Sequence, residues 1–381
     1  MAAPRILTVI GTRPEAIKMA PVIRALENRD DLEHRTVLTG QHSELVSQIL
    51  QVFGIRADFD LALMSPGQTL YDIGRACLDG LRTVTEEYAP DVTVVQGDTA
   101  SVFFSGLVTF FEKGRLAHVE AGLRSGEKWA PFPEEMLRRM TDTLSDFCFA
   151  PTRLAASNLK AEGVPQERLF ITGNTVVDAL ETVAAAELPI SDPTLAGLVE
   201  GEGPLVLLTA HRRESFGEPL GRIFAAVREL SVRHPDISVV YPVHPNPAVQ
   251  GPAQAALAGQ DRIHLVPPLS YSDLIWALKE SALVLTDSGG IQEEAPTFGT
   301  PVLVLRDVTE RPEGVQAGVA QLVGSDAEQI LSAAGAALQT GTSEARRPNP
   351  YGDGAAGERI ADILTSDLLG VPRALQDWTG A

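Results

Sequence analysis

The stretch RILTVIGTRPEAIKMAPVIRAL, residues 5–26, decides the fold. RILTVIG (5–11) reads as a buried strand that ends in glycine. Pro14 then suits the first turn of a helix, and Ala16, Ile17, Ala20, Ile23 and Leu26 give that helix an apolar face. The reading repeats along the first half of the chain. HRTVLTG (34–40), DVTVVQGD (91–98), LAHVEAG (116–122), DFCFAPT (146–152) and LFITGN (169–174) are further strand candidates. Helical segments separate them near 43–53, 69–88, 99–113, 134–145 and 153–162. Alternation of this kind predicts a parallel sheet covered on both faces.

Residues 187–204, with ELPISDP and EGEGP, are rich in proline, glycine and acid and read as a linker. The pattern then starts again with PLVLLTAHR (204–212), ISVVYPVH (237–244), RIHLVPPL (262–269), ALVLTDS (282–288) and PVLVLR (301–306). The expected architecture is therefore α/β with two doubly wound, Rossmann-like domains, one over 1–187 and one over 204–350. A ligand site at the carboxyl ends of the strands, between the domains, is the default expectation. NPYGDG (349–354) breaks the pattern, and a final helix over 354–370 presents Ile360, Ile363, Leu364 and Leu368 on one face.

Composition narrows the function. The 381 residues carry 31 Lys and Arg against 50 Asp and Glu, a formal charge of −19. A chain this acidic repels a long polyanion, so nucleic acid is excluded as a partner. A small phosphorylated ligand remains compatible if a local cluster of cations offsets the global field. With 44 % hydrophobic and 21 % charged residues the composition is globular, and disorder is excluded. No apolar run reaches the ~18 residues of a membrane span, and the N-terminal residues lack the pattern of a signal peptide. Cys77 and Cys148 suggest neither a disulfide framework nor a metal knuckle. The expected location is the cytoplasm, with no membrane partner.

Several strands end in polar, glycine-containing clusters. GTRPEAIK (11–18) offers helix N–H groups with Arg13 and Lys18 to an anion, or is simply a capped helix with solvated charges. It is neither GxGxxG nor a Walker sequence, so no standard dinucleotide or Walker site is expected. In DSGGIQEE (287–294), Gly289 and Gly290 allow close approach of a phosphate, Ser288 adds a hydroxyl, and Glu294 could bind ribose hydroxyls. The rival reading is N-capping by Asp287 or Ser288. A third group comprises Asp98, Glu120 and Glu134 with Arg138, together with His118, His211 and His244. Three separated carboxylates near an anion site suggest acid–base work, with burial and mutual repulsion raising some of their pKa values.

Taken in order, GTRPEAIKMAPVI, TGQH, QGDT, HVEAGLRSG, PFPEEMLRR, GNTVVDAL, TAHRRESFG, YPVHPNP, TDSGGIQEEAPTFGTPVL and TERPEGV resemble the non-hydrolysing UDP-N-acetylglucosamine 2-epimerases of bacteria. The resemblance implies a glycosyltransferase-B arrangement with the C-terminal helix crossing back to the first domain. It also implies cofactor-free, metal-free interconversion of UDP-N-acetylglucosamine and UDP-N-acetylmannosamine, feeding surface polysaccharide synthesis. Carried over residue by residue, Asp98, Glu120 and Glu134 match the acid–base carboxylates, with Lys18, Arg138 and His211 in support. Arg13, Ser288, Gly289, Gly290, Glu294 and Arg311 match the substrate contacts. Gln41, Gln68, Arg212 and His244 match parts of a site for a second, activating UDP-N-acetylglucosamine. Glu44 and Gly67 stand where some members have Gln and Arg, and Leu137 replaces an Asn common in PEExNR. A homodimer is the family expectation. A glycosyltransferase, a hydrolysing epimerase and a non-catalytic nucleotide-sugar sensor are the alternatives.

Overall fold

β1 (Arg5–Ile10) ends where Thr12 takes extended backbone and accepts a hydrogen bond from the Glu15 amide, so that α1 (Arg13–Glu27) starts with a proline in its first turn. The computed structural model describes residues 3–40, 43–65, 67–340 and 347–380. It divides into two compact units, Met1–Ala179 with Tyr351–Gly380, and Leu180–Pro350.

The first unit continues with β2 (Glu33–Leu38), α2 (Ser43–Val52), β3 (Phe59–Asp60), α3 (Leu70–Tyr88), β4 (Val92–Gln96) and α4 (Ala100–Phe111). Then come β5 (Arg115–Val119), α5 (Glu134–Leu144), β6 (Phe147–Ala150), α6 (Arg153–Ala161) and β7 (Leu169–Ile171), after which α7 (Thr175–Ala185) leads into the second unit. Among the described residues the strands form a seven-stranded sheet, β3-β2-β1-β4-β5-β6-β7, with every pairing parallel. Leu7, Val9, Val37 and Val95 from the sheet pack with Leu81, Val84, Tyr88, Val102 and Val108 from α3 and α4. The order reverses between β1 and β4, and loops at such a switch point diverge to opposite faces and leave a crevice at the carboxyl edge.

In the second unit α8 (Pro193–Val199) precedes β8 (Leu205–Thr209), α9 (Glu218–Arg233), β9 (Ser238–Pro242), α10 (Pro247–Leu257) and β10 (Ile263–Val266). α11 (Tyr271–Glu280), β11 (Ser281–Thr286), α12 (Gly289–Glu294), β12 (Val302–Val304), α13 (Pro312–Gln316), β13 (Ala320–Leu322) and α14 (Ala327–Thr340) complete it. Its sheet runs β10-β9-β8-β11-β12-β13, again parallel, with the switch point between β8 and β11. Phe224, Tyr241, Leu208, Leu283 and Ile330 belong to its core.

Three features differ from the sequence reading. β3 and β13, of two and three residues at sheet edges, are too short to show a periodicity. Residues 187–204 form part of the second unit: Asp192 caps α8, Leu195 is fully buried, and the Asp273 carboxylate accepts from the Ser191 and Asp192 amides. The unit boundary falls inside α7, after Ala179, and not at 187. No helix among the described residues is long and apolar enough to cross a membrane.

α15 (Ala356–Leu369) returns to the first unit and packs along α1. The contact needs a glycine: a Cβ on Gly357 would stand 2.8 Å from the backbone carbonyl of Pro21. Gly357→Ala is expected to destabilise the protein by about 1–3 kcal/mol through overpacking at a rigid backbone. Urea unfolding followed by circular dichroism measures it, and an unchanged midpoint would contradict the packing account.

Candidate active site

The crevice side of the first sheet concentrates charge. Arg138, on α5, is only 7 % exposed and reaches two strand-end loops. Its guanidinium donates to the Asp98 carboxylate at 2.5 Å, to a Glu120 carboxylate oxygen at 3.3 Å and to the Glu120 main-chain carbonyl at 2.6 Å. Burial works against its charge, but Asp98, Glu120 and Asp142 outweigh that and hold it above the ordinary guanidinium value. Lys18, from α1, donates to the other Glu120 oxygen, which also accepts from the Gln96 amide at 3.0 Å. Glu120 adopts φ +67°, a left-handed conformation unfavourable for a glutamate and of the kind that functional sites sustain.

Behind these groups lies a buried carboxyl that the sequence reading missed. Glu15 accepts from the Gly11 amide at 2.6 Å and from the Thr12 and Thr99 hydroxyls, both at 2.9 Å. Thr12 and Thr99 cap α1 and α4, the helices that leave the switch point from β1 and β4. Burial is the largest influence on Glu15 and raises its pKa from 4.5 to about 7, against the lowering effect of these donors. The signal was present in the sequence as T-x-x-E, a capping-box spacing at Thr12 and Glu15.

In the second unit Asp287, fully buried, accepts from the backbone amides of His211 and Arg212 at 2.9 and 2.8 Å and from the Ser215 hydroxyl at 3.3 Å. It therefore clamps the loop after β8 and does not cap α12. Ser288 holds the N-cap position, with no hydrogen bond from its side chain to the helix. The Arg212 guanidinium lies over Gly289, where a Cβ would sit 3.6 Å from its nitrogen. The rings of His211 and His244 stack at 5.3 Å, and burial, the leading influence, lowers the His211 pKa. Arg311 donates to buried Glu293, and Thr309 donates to Gln292 at 2.6 Å, so the TERPEG loop is tied to α12.

The structure thus brings Lys18, Asp98, Glu120 and Arg138 into one network. Glu134 is half-buried one helical turn before Arg138 on the same face of α5 and makes none of these contacts. Arg13 is exposed in the first turn of α1. Ser288, Gly289, Gly290 and Glu294 gather around α12, with Arg212 and His211 beside them. Arg311 is engaged with Glu293, a partner that spacing could not identify. Gln68 is used locally, accepting from the Ser65 amide at 2.8 Å and donating to the Leu63 carbonyl at 3.1 Å. Gln41 lies outside the described residues. A cavity of about 610 Å³, lined by Asp91, Thr93, Lys113 and Arg115 among others, opens at the amino ends of β4 and β5 and involves none of these groups.

Two Rossmann-like units, with carboxylates paired to cations in one and a glycine-fronted loop cluster in the other, place the chain among the two-unit α/β proteins whose polar sites lie at the carboxyl ends of parallel strands. The family model described as UDP-N-acetylglucosamine 2-epimerase matches residues 24–365, and the chain belongs to that family. It is 45 % identical over 368 residues to the UDP-N-acetylglucosamine 2-epimerase of Yersinia pestis, covering 94 % of this chain and 98 % of that protein. The Bacillus subtilis UDP-N-acetylglucosamine 2-epimerase is 44 % identical over 364 residues, 94 % of each chain. A crystal structure of the Neisseria meningitidis UDP-GlcNAc 2-epimerase bound to UDP-GlcNAc superposes with a TM-score of 0.84 at 40 % identity, covering 95 % of this chain and 100 % of that one.

The Glu15 pKa carries a stability consequence. Its folded-state value of about 7 exceeds the reference 4.5, so the native state binds this proton more tightly than the unfolded chain does. The corresponding stability is complete below about pH 4.5 and lost as pH rises through 7, amounting to about 3 kcal/mol. Glu15→Gln should flatten the fall in unfolding free energy between pH 5 and pH 8, measured by denaturant titration at each pH. An equally steep fall in the variant would contradict the assignment.

Proposed function

We propose that this chain inverts C2 of UDP-N-acetylglucosamine by eliminating UDP and adding it back. The proton on C2 is not adjacent to a carbonyl, so direct removal would leave an unstabilised carbanion. Departure of UDP from C1 builds oxocarbenium character that acidifies C2–H. A base then takes that proton, giving 2-acetamidoglucal and UDP. Return of a proton to C2 from the opposite face, with UDP oxygen rejoining C1, yields UDP-N-acetylmannosamine. No electrons are transferred to or from the sugar overall.

The observation that carries this reading is the Arg138 pairing. One buried guanidinium holds Asp98 and Glu120 together at the carboxyl edge, and Lys18 adds a second cation. Carboxylates and cations held in fixed mutual geometry support this reading, because electrostatic catalysis gains most from groups oriented in advance. In this reading Asp98, Glu120 and Glu134 move the protons, and Lys18 and Arg138 fix their geometry and charge. Ser288, Gly289 and Gly290 take the diphosphate with Arg13, Glu294 takes the ribose, and His211 completes the polar lining. Arg311 acts through Glu293 to hold α12. Arg212 and His244, with Gln41 and Gln68 matched by resemblance, are the candidates for a second UDP-N-acetylglucosamine. A cytoplasmic homodimer supplying N-acetylmannosamine for surface polysaccharide is the corresponding cellular reading, carried by the family resemblance.

UDP-N-acetylglucosamine incubated with the enzyme in deuterium oxide should gain deuterium at C2 as the manno product appears, without added NAD or metal. Folded protein that gives neither exchange nor product would overturn the reading. Asp98→Asn, Glu120→Gln and Glu134→Gln should each slow exchange by roughly 10²–10⁴-fold, the usual contribution of a placed acid or base. Near-normal exchange in all three would remove the carboxylates from the mechanism.

A further inference from the structure

His118 is completely buried, at the end of β5 two residues before Glu120. Both of its ring nitrogens face oxygens. Nδ1 stands 2.7 Å from the Asp142 carboxylate, and Nε2 stands 2.7 Å from the main-chain carbonyl of Gly97. A carbonyl oxygen can only accept, so Nε2 carries a hydrogen. Asp142 in turn accepts from the Arg124 guanidinium at 2.7 Å and from the Gly122 amide at 3.2 Å. The Arg124 guanidinium, only 9 % exposed, pairs with the Asp142 carboxylate and favours its ionised form independently of His118. An ionised carboxylate also only accepts, so Nδ1 carries a hydrogen as well. A neutral imidazole has one N–H and cannot satisfy both oxygens. The two 2.7 Å contacts have the length of charge-assisted bonds.

The groups that face the ring come from three neighbouring elements. Asp142 lies on α5, with Arg124 and then Glu162 behind it. Gly97 belongs to the turn that follows β4. Cys148, opposite His118 in the β5–β6 register, is kept protonated by burial and points its sulfur toward the Asp142 carbonyl. None of these donates a hydrogen to a ring nitrogen of His118.

Gly97 adopts φ +89° and directly precedes Asp98. The turn Gly97–Asp98–Thr99 is therefore held at three points: its carbonyl by His118, its carboxylate by Arg138 and its capping hydroxyl by Glu15. We propose that His118 is a positioning residue, an imidazolium that donates from both nitrogens and thereby fixes the Asp98 turn for proton transfer. It touches no substrate atom in this scheme and acts only through Asp98.

The positioning role rests on the epimerase reading, whereas the charge assignment does not. The first experiment is nitrogen-15 NMR of the intact, histidine-labelled enzyme at pH 7.5, with the His118 signals assigned by their loss in His118→Gln, or by selective labelling if that variant does not fold. Two protonated ring nitrogens are expected, and one unprotonated nitrogen overturns the proposal whether or not the enzyme turns over UDP-N-acetylglucosamine. In the second experiment, His118→Gln and His118→Asn are compared with wild type for kcat and for UDP affinity by calorimetry. A fall in kcat of roughly ten- to a hundredfold, with UDP affinity within about twofold, is the mark of a displaced catalytic group. Wild-type kcat in a folded variant overturns the positioning role. A wild-type enzyme with no turnover at all, but with both His118 nitrogens protonated, sinks the epimerase reading and leaves the charge assignment standing.

Discussion

A guanidinium sealed against the carboxyl edge of a sheet dictates the charge of everything near it. Removing an ion from water costs several kcal/mol even after relaxation, and only close, complete pairing offsets that cost. Arg138 meets the condition through Asp98 and Glu120, and Glu120 is shared in turn with Lys18. One helical turn further along α5, Asp142 repeats the solution with Arg124 and His118, and Arg124 continues to Glu162. Asp98, Glu120, Asp142 and Glu162 are thus shared among Lys18, Arg138, His118, Arg124 and Arg139. Such a network cannot lose one member cheaply, and that rigidity keeps the Asp98 and Glu120 carboxylates in register.

The two units answer the same mechanical problem in mirrored ways. Where strand order reverses, the loops on either side of the crevice have no common helix to hold them. In the first unit Glu15, after β1, reaches across to Thr99, after β4. In the second unit Asp287, after β11, reaches back to the amides of His211 and Arg212, after β8. In each case a buried carboxyl spans the switch point and ties together the two loops that carry the polar groups. No detectable sequence repetition accompanies this; the correspondence is one of place and chemistry.

Much of the fold was legible because parallel strands buried on both faces leave continuous apolar runs, and eleven of the thirteen described strands announced themselves that way. β3 and β13 did not, being only two and three residues long. Strand order was not legible at all, since nothing in β1 or β4 states that they are neighbours. The site was legible as residue types at strand ends, and Lys18, Asp98, Glu120 and Arg138 do come together. Its internal wiring was not. Asp287, offered with Ser288 as a rival helix cap, proved to be a clamp, while Glu15, to which the sequence reading assigned nothing, proved to be buried. Both outcomes depend on which loops the topology makes adjacent, which local spacing does not encode. Residues 187–204 misled for a related reason: a composition typical of linkers also suits a short capped helix once Asp273 and Trp276 are there to receive it.

The return of residues 351–380 to the first unit sets an order of assembly during synthesis. The second unit is contiguous in sequence, whereas the first is interrupted by the whole of it. Until the segment 351–380 emerges, α1 lacks α15, and Ile171 at the end of β7 lacks Asp377, whose carboxylate accepts from its amide at 3.0 Å, and Trp378, whose amide donates to its carbonyl at 2.7 Å. The unit begun first on the ribosome is therefore completed after the second unit has already had its full sequence available. At about 5–20 residues per second, the closing segment alone adds a few seconds to that wait. During it α1 carries an uncovered helix face, so the interval between synthesis of α1 and of α15 exposes the nascent first unit to misassociation.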